Sequence, residues 1–108
     1  MPLTRPFRET VQARASKDSA FRAALLKEGV EAFLEGDVAA GKAVLRDYIN
    51  ATMGFAKLAE LTGSSSKSLM RMFGPSGNPQ ASNLFAVLAQ LQRAEKVALE
   101  VRAARVHS

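Results

Sequence analysis

KLAELTGSSSKSLMRMF, residues 57–73, sets Leu58, Ala59, Gly63, Leu69 and Met72 at the spacing of two short helices joined by a tight turn. Ala59 is small where the two helices must cross closely, and Gly63, four residues on, can take the positive φ that ends the first helix sharply. Leu69 and Met72 then point back into a core. The spacing predicts a helix-turn-helix with residues 65–74 as its recognition helix. The N-terminal residues of such a helix meet base edges in the major groove, while the preceding helix crosses the DNA backbone. Ser65 is placed as the N-cap, its hydroxyl able to satisfy an orphan amide near Lys67 or Ser68. Ser66, Lys67, Met70 and Arg71 are the expected exposed positions. Lys67 and Arg71 can donate to guanine or phosphate, Ser66 can donate or accept, and Met70 can pack on a thymine methyl.

Upstream of this stretch the pattern is helical. Thr4 and Pro6 suit the entry to a first helix over about residues 6–15, on which Phe7 and Val11 share a face. A second begins near Asp18 or Ser19 with two apolar stripes, Phe21 with Leu25 and Leu26 with Val30, Phe33 and Leu34. Gly36 stops it, and it is expected to be mostly buried. Asp37 can cap a third, where Val38, Gly41, Leu45, Tyr48, Ile49 and Thr52 recur at helical spacing and Gly54 marks the end. Downstream, GPSGNP at residues 74–79 reads as a turn. A last helix from about Pro79 or Ala81 carries Leu84, Val87, Leu88 and Leu91 inward. Backbone amides at its start, with Ser82 and Asn83 nearby, are candidate phosphate ligands.

The tail changes period. Val97, Leu99 and Val101 alternate with Ala98, Glu100 and Arg102, which predicts a half-buried strand. With no second strand inside the chain, that strand is expected to pair with the same segment of a second copy and make a homodimer. Helix continuation and a frayed end are the alternatives.

The chain has 108 residues, 15 Lys and Arg against 10 Asp and Glu, a net charge of +5 and no cysteine. One domain is expected, divided into N-terminal helices (1–42), a helix-turn-helix core (43–94) and a C-terminal strand and tail (95–108), with little room for a deep catalytic cleft. No catalytic residues, cofactor or metal site are expected, because thiolates are absent and His107 is the lone histidine. Nothing reads as a membrane span or signal peptide, so a cytoplasmic protein is expected. Between Leu61 and Ala94 there is no acidic residue, whereas Lys67, Arg71 and Arg93 are present, so that face has no carboxylate to repel phosphate. Acid gathers instead at Glu28, Glu31, Glu35 and Asp37, a possible second surface or an ordinary solvated helix face.

Three motif lookalikes lead nowhere. GSSSKS at 63–68 lacks the glycine before Lys67 and the leading strand of a P-loop. Ser64 and Lys67 fit S-x-x-K without the companion elements of that acyl-transfer site. The sequon at Asn50 falls inside a predicted helix.

Leu58, Ala59, Gly63 and Leu69, followed by Gly77, Asn78 and Pro79 and a helix resembling NLFAVLAQL, carry a resemblance to the addiction-module antidote family of lambda-repressor-like antitoxins, over roughly residues 43–101. The resemblance implies a five-helix lambda-repressor-like helix-turn-helix domain in an all-α chain, with an N-terminal helical extension and the short C-terminal β-strand. It further implies a bacterial antitoxin of a type II toxin–antitoxin pair, which neutralises a RelE/ParE-like toxin and represses their shared operon. The expected partners are operator double-stranded DNA and the cognate toxin, with the acidic group at 28–37 as the candidate toxin-docking surface. Two alternatives share these features: a stand-alone helix-turn-helix regulator, and a protein-interaction module that has lost DNA affinity, which Phe55 and Met70 favour.

Overall fold

The computed structural model describes residues 5–107, with side chains from residue 9 onward; the reading of Thr4 and of the Phe7 side chain lies outside those residues. Six helices follow one another: α1 (Arg5–Ala15), α2 (Ser19–Leu34), α3 (Val38–Ala51), α4 (Gly54–Thr62), α5 (Ser66–Met72) and α6 (Ala81–Glu95). Local chemistry sets most of the boundaries. Asp18 accepts the Phe21 amide at 3.1 Å and starts α2, and Asp37 accepts the Ala40 amide at 3.1 Å and starts α3. Between them Gly36 adopts φ +86, which lets the Gly36 and Asp37 amides reach back to the carbonyls of Phe33 and Ala32. Two orphan carbonyls of α2 are thereby satisfied before the chain reverses.

The reversal lays α2 along α3 at close range. A Cβ on Gly29 would meet Leu45 at 2.8 Å, and one on Gly41 would meet the Phe33 ring at 2.8 Å. Leu26, Leu45, Tyr48 and Ile49 from this pair join Phe55, Leu58, Leu69, Phe73, Val87, Leu88 and Leu91 in one core. The pair is less buried than the stripes predict. Leu34 is 66 % exposed and Val38 is exposed as well, one on each side of the turn at Gly36. Thr52 forms the C-cap of α3, and Gly54 opens α4.

The predicted C-terminal β-strand does not form, and six helices replace the five-helix count with a terminal strand; no strand occurs among the described residues. The reason lies at the end of α6. Lys96 takes a left-handed conformation, φ 60, and the Val97 amide bonds back to Gln92 O at 3.0 Å. The Gln92 side chain then accepts the Leu99 amide at 2.9 Å. Two amides that would have sought a neighbouring strand, those of Val97 and Leu99, are met by Gln92 of α6. Val97 and Leu99 are half-buried against the core while Val101 is 79 % exposed, so the alternation records an extended segment lying on helices. Residues 97–101 thus do not form the strand on which pairing with a second copy is expected.

One buried polar cluster ties the N-terminal helices to α6. Arg22 Nε donates to both carboxylate oxygens of Glu95, at 3.1 and 3.0 Å, and its Nη1 donates to Ala15 O at 3.0 Å. Tyr48 donates its hydroxyl to Glu95 Oε1 at 2.5 Å. The Glu95 side chain is almost wholly buried, which is tolerable only because a guanidinium and a phenol replace its water.

Burial first, then the hydrogen bond to Glu95 and the charge of that carboxylate, push the Tyr48 hydroxyl well above its ordinary 10.0, with Arg22 pulling the other way. The contribution to stability is therefore complete below pH 10.0, where the unfolded chain also keeps its phenol proton, and is lost as the pH climbs toward the folded value. Tyr48 is the sole tyrosine and there is no tryptophan, so the tyrosinate absorbance band reads this group alone. Tyrosinate should emerge only as helical circular dichroism is lost; ordinary titration with intact helicity would contradict the cluster. Tyr48→Phe should cost about 2 kcal/mol. Truncation after Lys96 should lower stability by ~1–3 kcal/mol through lost burial of Val97 and Leu99, measured by urea unfolding.

Candidate nucleic-acid interface

Gly63 closes α4 with φ 75, and its amide bonds Ala59 O at 2.9 Å. Three residues, Gly63 to Ser65, then turn the chain into α5. Ser65 is extended and its Oγ accepts the Ser68 amide at 3.0 Å. The same hydroxyl donates to Ser68 Oγ at 2.9 Å, so Ser65 is spent on the turn and has no proton left for a base. Leu69 and Phe73 are buried below, where the Phe73 ring meets Phe55 at 6.2 Å between centroids, tilted by 50°. Phe55 is thus a core residue that supports the turn, not a surface available to a protein partner. Ala59 and Met72 pack against the same core.

On the outer side of α5 stand Lys67, Arg71 and Met70, the last 50 % exposed. Neither cation has a hydrogen-bonding or ionic partner among the described residues. Ser66 is half-buried, less available than its place in the first turn predicts. Across a groove of about 430 Å³ lies the start of α6. Ser64, Ser68, Arg71, Asn78, Gln80 and Asn83 give this groove its polar walls, and no carboxylate lines it. Gln80 is the N-cap without a side-chain hydrogen bond, which leaves the first α6 amides without a partner from that residue. Ser82 and Asn83 are both exposed in that first turn, and of the two only Asn83 lines the groove.

Sequence reasoning missed the residues that hold this face in place. Lys42 is buried, 6 % exposed, and its Nζ donates to the carbonyls of Gly77 at 2.6 Å, Gly74 at 3.0 Å and Pro75 at 3.4 Å. Arg46, one turn on, donates from Nη1 to Phe73 O at 3.2 Å. Two cations of α3 thus fasten the end of α5 and the loop that leads to α6. A signal was available: Lys42 shares the inward stripe with Leu45 and Ile49, and an ammonium there demands a set of acceptors. Gly77 presses against α5 from the other side. Its missing Cβ would collide with Arg71 O and come within 2.6 Å of Met72 O.

The other candidates are dispersed. Glu28, Glu31, Glu35 and Asp37 are all exposed, and Asp37 is already engaged in capping α3. Glu28 and Asp37 line a second cavity, between α1, α2 and α3. Among the described residues no helix is long and apolar enough to cross a membrane. No family model matches the chain, and no curated protein and no solved structure is significantly similar to it.

Lys42→Met should destabilise the fold by about 3 kcal/mol, since three carbonyls lose a charged donor together. Gly77→Ala should also destabilise, because backbone rather than a flexible side chain must yield. Urea unfolding reads both, and faster amide exchange at Gly74 and Gly77 in Lys42→Met would locate the effect in the loop.

Proposed function

We propose that this chain binds double-stranded DNA through α5 and acts as a transcriptional repressor. The observation that carries the reading is the acid-free face around α5 and the start of α6, where Lys67 and Arg71 project without partners among the described residues, beside a groove walled by serines, asparagines and a glutamine. Such a face suits a polyanion with hydrogen-bonding edges. Lys67 and Arg71 contact phosphate or guanine, and Met70 lies on an apolar base edge. Ser68 and Asn83 are the polar side chains best placed beside them, with Ser65 limited to capping.

The resemblance of residues 43–101 to addiction-module antidotes extends the proposal to a cytoplasmic bacterial antitoxin. Its partners are then a RelE/ParE-like toxin and the operator of the shared operon. Glu28, Glu31 and Glu35 are the free carboxylates of the acidic group offered to a basic toxin. Paired half-sites call for a homodimer, which must now be built from helical surfaces. One observation favours the reading as a protein-interaction module: Phe85 stands 65 % exposed on α6.

Replacing both Lys67 and Arg71 by Ala should abolish a gel shift with the upstream promoter while leaving the unfolding curve unchanged. A single change at a base-reading cation should cost ~1–3 kcal/mol and relax specificity, whereas loss of a phosphate contact should weaken all sequences alike and lower the salt slope. Full binding by the folded double variant would overturn the assignment to α5. Co-expression with the neighbouring gene tests the antitoxin part; if no complex forms, the stand-alone regulator replaces it.

A further inference from the structure

The second cavity, about 870 Å³, lies on the side of α3 that faces α1 and α2, and its floor includes Phe73, Gly74 and Pro75. Its size is that of a small-molecule site, and most of its wall is apolar: Val11 from α1, Phe21 and Leu25 from α2, Val44 from α3. Arg46 opens into this apolar wall. It is half-buried and makes one hydrogen bond among the described residues, from Nη1 to Phe73 O. A guanidinium carries five N–H donors in a planar fork, so four remain for an incoming group. Of the other cations on the wall among the described residues, Lys42 is committed to its three carbonyls, while Arg14, its side chain largely exposed to water, lies over the Phe21 ring at 4.6 Å and within 3.9 Å of Asp18. Of the carboxylates, Asp37 caps α3, Asp47 is buried and already engaged, and Glu28 is exposed to solvent.

We propose that this cavity binds a small amphipathic anion, an aliphatic or aromatic body bearing one carboxylate, with the carboxylate on Arg46 and the body among Phe21, Leu25 and Val44. A half-desolvated guanidinium with spare donors matches a planar carboxylate in two parallel hydrogen bonds. The apolar wall supplies the remaining affinity. Because Arg46 also holds the carbonyl that ends α5, an occupant that draws on its guanidinium acts directly on the α5 terminus and the following loop.

Octanoate titrated into the full-length protein, with octanol as the uncharged control, tests the site by calorimetry and by displacement of anilinonaphthalenesulfonate fluorescence. Octanoate should bind more tightly than octanol and shift the amide resonances of residues 73–77. Arg46→Met should weaken octanoate by about tenfold or more and leave octanol unchanged. Glu28→Gln should strengthen it by removing a nearby like charge. Ala24→Phe, from an exposed position on the rim, should block both probes even if Arg46→Met proves unstable. Equal affinity for octanoate and octanol, no binding of either, or unaltered binding in the folded variants would overturn the proposal. Each measurement is made without DNA, so its failure is separate from that of the DNA-binding reading.

Discussion

The ammonium of Lys42 is the contact on which the loop between α5 and α6 depends. A lysine taken out of water loses a large solvation energy, and only a full set of acceptors makes its burial tolerable. Here the acceptors are the carbonyls of Gly74, Pro75 and Gly77. The charge organises a loop with no regular structure of its own, and the loop in turn meets the demand of the charge. One side chain of α3 thus fixes the loop from which α6 starts, and Gly77 of that loop lines the groove between α5 and α6.

This dependence is strong because α5 is short. Its seven residues are far fewer than a helix needs to persist in water, so its geometry is imported. Ser65 holds its first turn and Leu69 and Phe73 anchor its inner side. Arg46 takes its final carbonyl, and Gly77 lets the loop close against its end. Exposed cations on such a helix are presented rigidly although the helix itself makes few bonds.

Much of the fold was legible because it is decided locally. Asp37 and Ser65 as caps, Gly36 and Gly63 as stops, and the inward stripe of α6 each rest on chemistry within four residues, and each is found where the pattern places it. The outward set on α5 was legible for the same reason, except that Ser66 sinks partly inward and the Ser65 hydroxyl is consumed. What could not be read were contacts between distant positions. Lys42 with Gly77, and Arg22 and Tyr48 with Glu95, carry no local spacing. The strand error is of this kind: alternation at Val97 and Leu99 is a real burial pattern, but the bond from Gln92 to the Leu99 amide, which decides its meaning, needs three-dimensional proximity.

The pairing of Arg22 with Glu95 spans 73 residues, and this has a consequence for the order of events on the ribosome. At synthesis rates of ~5–20 residues per second, Arg22 waits roughly 4–15 s after its own addition before Glu95 is made. During that interval α1, α2 and α3 can form, but Tyr48 lacks its acceptor and Arg22 its carboxylate. The nascent helices therefore leave the exit tunnel as an unfinished assembly, with apolar surfaces of α2 and α4 still waiting for α6. Completion of the buried cluster is therefore a late step, set by the synthesis and emergence of α6 rather than by the folding of α1, α2 and α3.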